Sequence, residues 1–458
     1  MSPPPGRPKE GSLPLGGKPR SGKGAPMSPP PGRPKEGSAL QAASPRDAAP
    51  AAGGAVVETF LAFLRLGLTS FGGPVAHIGY FRTEFVERRG WLHERAFADL
   101  VALCQLLPGP ASSQLGMAIG FGRAGWRGAA AAWLGFTLPS AVALILFALG
   151  VAGFDSLAQS GAVQGLKVVA VAIVAQAVWG MARTLCPDRP RIGIAMGACL
   201  LILGVPPFAD GLGGAPAVAQ VAAIGAGGLA GRWLLTIPPA QAGPAGPDLS
   251  PRLGRLALAA FALLLAGLPL LAAASGTMLP YLVDGFYRAG ALVFGGGHVV
   301  LPLLEAAVVP AGIVSEAQFL AGYGAAQAVP GPLFSFAAYV GALAAAPLDA
   351  AGASAPWLFG LLFLLVIFLP GFLVLFGAWP FWEQLRRRAG LRSALAGVNA
   401  AVVGILLAAL YDPVWTGAIR SIADFGLALV ALVLLVPARL PPVLVVALAA
   451  LAGWALHG

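Results

Sequence analysis

Charge is what this chain has least of. Aspartate, glutamate, lysine and arginine make up 10% of its 458 residues, where a soluble domain carries about 25%. After Lys35 a single lysine remains, Lys167. Histidines number four and cysteines three. Cys104, Cys186 and Cys199 show no metal-ligand spacing and fall in or beside apolar segments, which reads as buried structural thiols. There is no Walker loop, no His-Glu-x-x-His and no Gly-x-Ser-x-Gly, and the few acids are scattered, so no catalytic constellation is present. No stretch is polar enough for a nucleotide-binding domain, which excludes an ATP-driven pump. The expectation is a protein without catalytic residues, cofactor or metal.

What is abundant is apolar. Hydrophobic residues make up 57% of the chain and the mean hydropathy is +0.80, the composition of a polytopic membrane protein. Apolar segments fall at 57–80, 96–121, 129–153, 161–182, 192–209, 215–236, 256–274, 281–304, 317–345, 356–380, 393–411, 418–437 and 440–457, about thirteen in all. The fold class expected is all-α, built from two inverted-topology repeats with broken helices. The net charge of +10 does not point to nucleic acid, because the bases sit in the N-terminal stretch and in short loops. Loops 123–127, 183–191, 232–255, 386–392 and Arg439 hold the arginines, and alternate loops hold almost none. The positive-inside rule then sets the N-terminus in the cytoplasm and the C-terminus in the periplasm. Trp91 and Trp126 read as interfacial anchors.

Four regions are expected. Residues 1–54 form a disordered Pro/Gly-rich basic extension. Residues 55–237 form a first transporter repeat, 238–279 a linker and connecting helix, and 280–458 a second, inverted repeat. The string at 1–12 recurs unchanged at 27–38, reading as a recent duplication or as a start placed ahead of Met27. It lacks the apolar run of a signal peptide.

The repeats rest on matched interruptions. Arg65-Leu-Gly-Leu-Thr-Ser70-Phe71-Gly72-Gly73-Pro74 answers to Arg288-Ala-Gly-Ala-Leu-Val-Phe294-Gly295-Gly296-Gly297, and Gln105-Leu-Leu-Pro108-Gly109-Pro110 answers to Gln327-Ala-Val-Pro330-Gly331-Pro332. The offsets are 223 and 222 residues. Duplicated membrane halves broken at matching places are the signature of a secondary transporter. Matched loops carry opposite charge bias, so the halves read as inverted. If the broken segments are re-entrant, the charged loop 82–95 is cytoplasmic; if they cross, it lies outside.

The paired glycines permit a turn, and a half-helix starting there presents free N–H groups and a positive dipole end to an anion. The bland reading is close helix packing through small residues. Arg65 and Arg288, each inside an apolar stretch, would recognise a tetrahedral oxyanion through a planar fork of donors, or else pair with Glu58 or Asp284. Lys167, with Asn399 at the matched position, is a further substrate candidate. Ser113 and Ser335, each three residues beyond a Pro-Gly-Pro, would line the pathway or bond back to their own helix. His77, His298 and Glu305 are the coupling candidates. Against these stands a second class, a membrane-embedded enzyme using Glu84, His77 and His298.

At these residues the chain resembles the chromate ion transporter family in its long, two-domain form. Phe71-Gly-Gly-Pro-Val-Ala-His77-Ile-Gly-Tyr-Phe, Trp91-Leu and Leu107-Pro-Gly-Pro110 carry the resemblance in the first half. Phe294-Gly-Gly-Gly-His298, Val329-Pro-Gly-Pro332 and Gly397-Val-Asn399-Ala-Ala carry it in the second. The resemblance covers about residues 56–455. It implies chromate transport across the bacterial inner membrane, linked to the proton-motive force, outward and conferring resistance, with sulfate as the isosteric competitor. The partners implied are the oxyanion, protons and the bilayer, with a homodimer left open.

Overall fold

The computed structural model describes residues 52–71, 73–153, 161–204, 215–237, 249–294, 297–348 and 354–457. Among the described residues the fold is helical with no strand: α1 (Ala52–Thr69), α2 (Gly73–Arg82), α3 (Glu94–Leu106), α4 (Ala111–Gly153), α5 (Gly161–Leu185), α6 (Arg189–Gly204), α7 (Ala215–Leu234), α8 (Pro251–Ser275), α9 (Met278–Ala291), α10 (Val300–Val308), α11 (Glu316–Ala328), α12 (Phe336–Leu343), α13 (Ala355–Ala378), α14 (Ala389–Ala409), α15 (Ile422–Leu435) and α16 (Pro442–His457). Among the described residues five apolar stretches are long enough to cross a membrane: Ala111–Val151, Gly161–Leu185, Pro251–Ser275, Ala355–Phe381 and Ala389–Ala418. The chain is a multi-pass, all-α membrane protein.

Four of the apolar segments fold back on themselves as hairpins. After α2 a π-helical turn, Thr83–Arg88, leads to Arg89, whose guanidinium donates to Glu58 near the start of α1 at 3.0 Å. Phe63 of α1 packs edge-on to Phe81 and stacks on Phe85, at centroid distances of 5.4 and 4.7 Å. A helix rises 1.5 Å per residue, so an α2 that ran onward would leave Arg89 some 40 Å from Glu58. The segment is therefore a hairpin that turns between α1 and α2. The next pair repeats the design: Arg123, at the far end of the first arm of α4, returns to Glu58 at 3.0 Å and lies 5.1 Å over Trp91, just before α3. Its tip is Leu107–Pro110.

The second half has the same two hairpins. Gly285 of α9 faces Ala307 of α10, and Tyr339 of α12 returns its hydroxyl to the Gln318 carbonyl at the start of α11, at 2.8 Å. A capping box fixes that start, with Ser315 accepting from the Gln318 amide and the Gln318 side chain accepting from the Ser315 amide.

Two longer helices give the hairpins their direction. α4 turns at Ala124–Gly125, and its second arm runs from Trp126, beside Phe376, past Ser140 to Phe147, which stacks on Tyr339 at 5.7 Å. That path leads from the mouth of the first-half hairpins, through their tips, to the mouth of the second-half hairpins. α13 runs the opposite way, from Gly360 beside Ala338 to Phe376 beside Trp126. The two pairs of hairpins thus open at opposite ends of the molecule and meet tip to tip. Pro139 and Pro370 sit inside these long helices at tip level. Proline frees the carbonyl four residues before it; for Pro139 that is Gly135, and α1 lies so close to it that a Cβ on Gly67 would stand 2.7 Å from its oxygen.

The remaining helices form a frame in which the halves are exchanged. α14 of the second half packs on α6 and α7 of the first, and α5 of the first packs on α15 and α16 of the second. The contacts are through small residues, Gly397 against Gly231 and Gly165 against Ala449, which lets the backbones approach. α8 lies at the periphery against α9 and α13 and buries only Gly254.

Candidate anion-binding site

The four tips form one cluster. Pro108 and Pro110 have no N–H, so Gly109 is the one amide donor of its tripeptide. It donates to the Val293 carbonyl at 2.7 Å, in the broken segment of the other half. Gly331, between Pro330 and Pro332, donates to the Ser70 carbonyl at 3.0 Å. Both glycines have positive φ, +115° and +109°, which directs the amide across the interface and which L side chains disfavour. The other tips also touch: a Cβ on Gly73 would lie 3.9 Å from His298 Nε2, and one on Gly297 would lie 3.5 Å from Pro74 and 3.6 Å from Leu333.

At each tip a helix begins. α2 starts at Gly73 and α4 at Ala111, and 3-10 turns starting at Gly297 and Leu333 lead into α10 and α12. Four helix N-termini are thereby directed into one region, each with unsatisfied N–H groups and the positive end of its dipole. Gly72, Gly295 and Gly296 lie outside the described residues.

Polar side chains around the tips are buried yet incompletely bonded. Ser70 Oγ, His77 Nδ1, Ser113 Oγ, Thr137 Oγ1 and Gln327 Nε2 are buried and have no hydrogen-bond partner among the described residues. Orphaned buried polar atoms of this kind cost free energy unless a ligand or water meets them. His77 lies 3.3 Å from the Ser70 carbonyl through Nε2, with its ring edge-on to Phe136. His298 Nδ1 is 2.8 Å from the Tyr323 hydroxyl. The two histidines are thus both at the tips, although they are not equivalents in the repeat. Phe71, Phe294, Pro108 and Pro330 are half-buried, so the cluster is not sealed.

Ser113 and its counterpart Ser335 have different surroundings. The Ser335 hydroxyl pairs with that of Ser140 at 2.6 Å, across the halves. Residue 114 is Gln in the first half, and its side-chain amide bridges the Pro108 and Gly371 carbonyls, both at 2.9 Å.

Other candidates from the sequence stand elsewhere. Arg65 is exposed on α1, and Glu58, its expected ion-pair partner, is engaged by Arg89 and Arg123. Arg288 is half-buried and ion-paired with the buried Asp284, as the bland reading of that residue has it. Gln105 is exposed. Lys167, buried on α5, lies in the electrostatic field of Arg420, Asp424 and Glu316, and Glu305 in that of Asp412 and Glu316. These charges gather around Glu316 at the mouth of the second-half hairpins, and Leu166, next to Lys167, packs its backbone on Gly324 within α11. Asn399 is half-buried on α14, and its Oδ1 is unpartnered among the described residues.

The opposite mouth is a second ionic cluster. Glu84 is gripped by Arg88 and Arg89, and Trp91 stacks on Phe85 beneath the guanidinium groups of Arg89 and Arg123. Burial pushes the Glu84 carboxyl upward, but the hydrogen bond and charge of Arg89, with the charge of Arg88, outweigh it and hold the group below its ordinary value.

Sequence reasoning missed a third matched element. Leu138-Pro139-Ser140 corresponds to Leu369-Pro370-Gly371, at an offset of 231. A Cβ on Gly331 would lie 2.9 Å from Ser140 Oγ, and one on Gly109 would lie 2.9 Å from Gly371 Cα. Each Pro-Gly-Pro tip therefore rests beside the intrahelical proline of the other half. The repeated Leu-Pro was the available signal, hidden by nine extra residues in the second half.

Comparison with known proteins agrees with this architecture. The sequence model of the family described as "Chromate transporter" matches twice, over residues 57–232 and 281–454. The chromate transport protein of Pseudomonas aeruginosa is 29% identical over 369 residues, covering 78% of this chain and 80% of that protein. The chromate transport protein of Cupriavidus metallidurans is 26% identical over 380 residues, covering 82% and 86%. No solved structure matches the chain. With both halves matched by one family model and each match spanning a pair of hairpins and their frame, this chain belongs to the chromate transporter family.

Proposed function

We propose that the chain is a secondary active carrier of chromate, with sulfate as isosteric competitor, and that the anion binds where the four hairpin tips meet. The observation that carries this reading is the convergence of four helix N-termini on buried polar atoms without partners. Backbone N–H groups and aligned dipoles bind an oxyanion without placing a full positive charge at membrane depth. Ser70, Gly73, Ser113, Thr137 and Gln327 are the proposed ligands. His77 and His298 are the proposed proton carriers at the tips, and Glu305 a further one at the second mouth.

In this reading residues 55–237 and 280–458 are inverted repeats in the bacterial inner membrane. The first mouth, with its arginines, faces the cytoplasm, and the second faces the periplasm. Hairpins that enter from opposite sides and share one site suit alternating access, because a small shift of one pair against the other changes which side is open. Transport is outward and coupled to the proton-motive force. The test is accumulation of labelled chromate and sulfate in inverted vesicles with and without a proton gradient. Gradient-dependent accumulation of chromate, reduced by sulfate, is expected. Accumulation of neither anion would remove the reading.

A further inference from the structure

Arg65 and Arg288 occupy matched positions but are unequally neutralised. One turn before Arg288 stands Asp284, 2% exposed and ion-paired with it. One turn before Arg65 the matched residue is Leu61, 56% exposed. Arg65 forms no ion pair among the described residues. The exposed stripe of α1 runs Val57, Leu61, Arg65, Leu68, which is the spacing of one helix face and the composition of a lipid contact with a guanidinium in its middle. Such a charge on a lipid-facing stripe calls for a counter-ion or a route to the interface.

Next to Arg65 the hairpin carries an open cleft of about 590 Å³, lined among others by Arg65, Thr69, Tyr80, Thr83, Glu84 and Arg88. Its volume suits a small ligand. The charged residues of its lining are Arg65, Arg88 and Glu84, and Glu84 is already paired with Arg88 and Arg89, so positive charge is in excess. The complementary chemistry is a tetrahedral oxyanion, which guanidinium binds through its planar fork. The walls decide its source. Leu66, Ala76 and Gly79 also line the cleft, and Leu61 and Leu68 continue as apolar surface on either side of Arg65. A free, strongly hydrated dianion has no use for such walls, whereas a phosphate attached to acyl chains does.

We propose that this cleft binds the phosphodiester head of an anionic phospholipid, with Arg65 as its principal ligand and the acyl chains along Leu61 and Leu68. The cleft reaches the tip at Thr69 but includes none of the anion ligands proposed there, and it does not rest on the cargo assigned to them.

The test is native mass spectrometry of the purified full chain with added phosphatidylglycerol, phosphatidylcholine or sulfate. Phosphatidylglycerol should be retained at least about tenfold better than phosphatidylcholine, the size of one charge-assisted contact. Arg65→Leu should abolish that preference. So should Leu61→Asp, which supplies the counter-ion that Asp284 gives Arg288. Equal retention of the two lipids, or a preference that survives both substitutions, would overturn the proposal. A sulfate adduct that needs Arg65 without any lipid preference would assign the cleft to a free anion and overturn it too. A lipid-free dimer lost in Arg65→Leu would assign it to a second copy, with the same consequence.

Discussion

The Gly109 amide donates to the Val293 carbonyl at 2.7 Å, joining the second tip of one half to the first tip of the other. Gly331 and Ser70 make the reciprocal bond at 3.0 Å. Both bonds need a positive φ at the donor glycine and an empty Cβ position, since a methyl group would stand 2.9 Å from Gly371 Cα or from Ser140 Oγ. Gly109→Ala and Gly331→Ala should each cost about 1–2 kcal/mol from backbone strain alone, more once the neighbour is displaced. Both variants should melt at lower temperature than wild type and lose transport in vesicles. Unchanged melting of both would mean that the tips do not depend on these turns.

The hydroxyl pair Ser140–Ser335 is a side-chain link between the halves. Removing either hydroxyl should cost about 1 kcal/mol, the net worth of a hydrogen bond. In a double-mutant cycle Ser140→Ala and Ser335→Ala should be non-additive, because the second substitution has no bond left to break. Strict additivity in thermal unfolding would show that the two do not interact.

Sidedness can be read from the hairpin mouths. Glu87 and Pro310 are both exposed and occupy matched positions, 223 residues apart. Single cysteines there, in a variant with Cys104, Cys186 and Cys199 replaced by alanine, should react with an impermeant thiol reagent from opposite faces. Reaction of both from one face would make the halves parallel.

The first mouth should sense acid. Glu84 lies outside the apolar spans, and its carboxyl is held below the ordinary value of 4.5. A depressed folded value contributes stability that is fully present above the unfolded value and is lost as pH falls through the folded one. Melting of wild type should therefore fall below about pH 4.5 more steeply than that of Glu84→Gln. Parallel pH profiles of the two proteins would show that the Arg88–Glu84–Arg89 contacts add no stability.

The breaks were legible in the sequence because paired glycines and Pro-Gly-Pro tripeptides interrupt the apolar runs, and because two offsets agreed within one residue. The all-α, polytopic class followed from composition alone. That the broken segments turn back required the Glu58–Arg89 and Glu58–Arg123 pairs, which join residues far apart in the chain. Arg65 and Arg288 looked equivalent in the alignment of halves, yet a single different residue one turn earlier, Leu61 or Asp284, sets their environments apart. Lys167 and Glu305 looked solitary because their ionic neighbours, Glu316, Asp412, Arg420 and Asp424, come from other segments. The Pro139–Pro370 correspondence escaped a search at constant offset.

Removing the orphaned hydroxyls distinguishes an oxyanion bound at the tips from one bound elsewhere. Ser70 Oγ and Ser113 Oγ make no hydrogen bond among the described residues, so Ser70→Ala with Ser113→Ala breaks none there. The measurement is equilibrium binding of labelled chromate and of sulfate to purified protein, normalised for folded molecules. A hydrogen bond to a charged group is worth about 1.5–3 kcal/mol, so the double variant should bind both anions at least about tenfold more weakly while melting as wild type does. Wild-type affinity in a variant that folds normally would contradict the account and place the anion elsewhere.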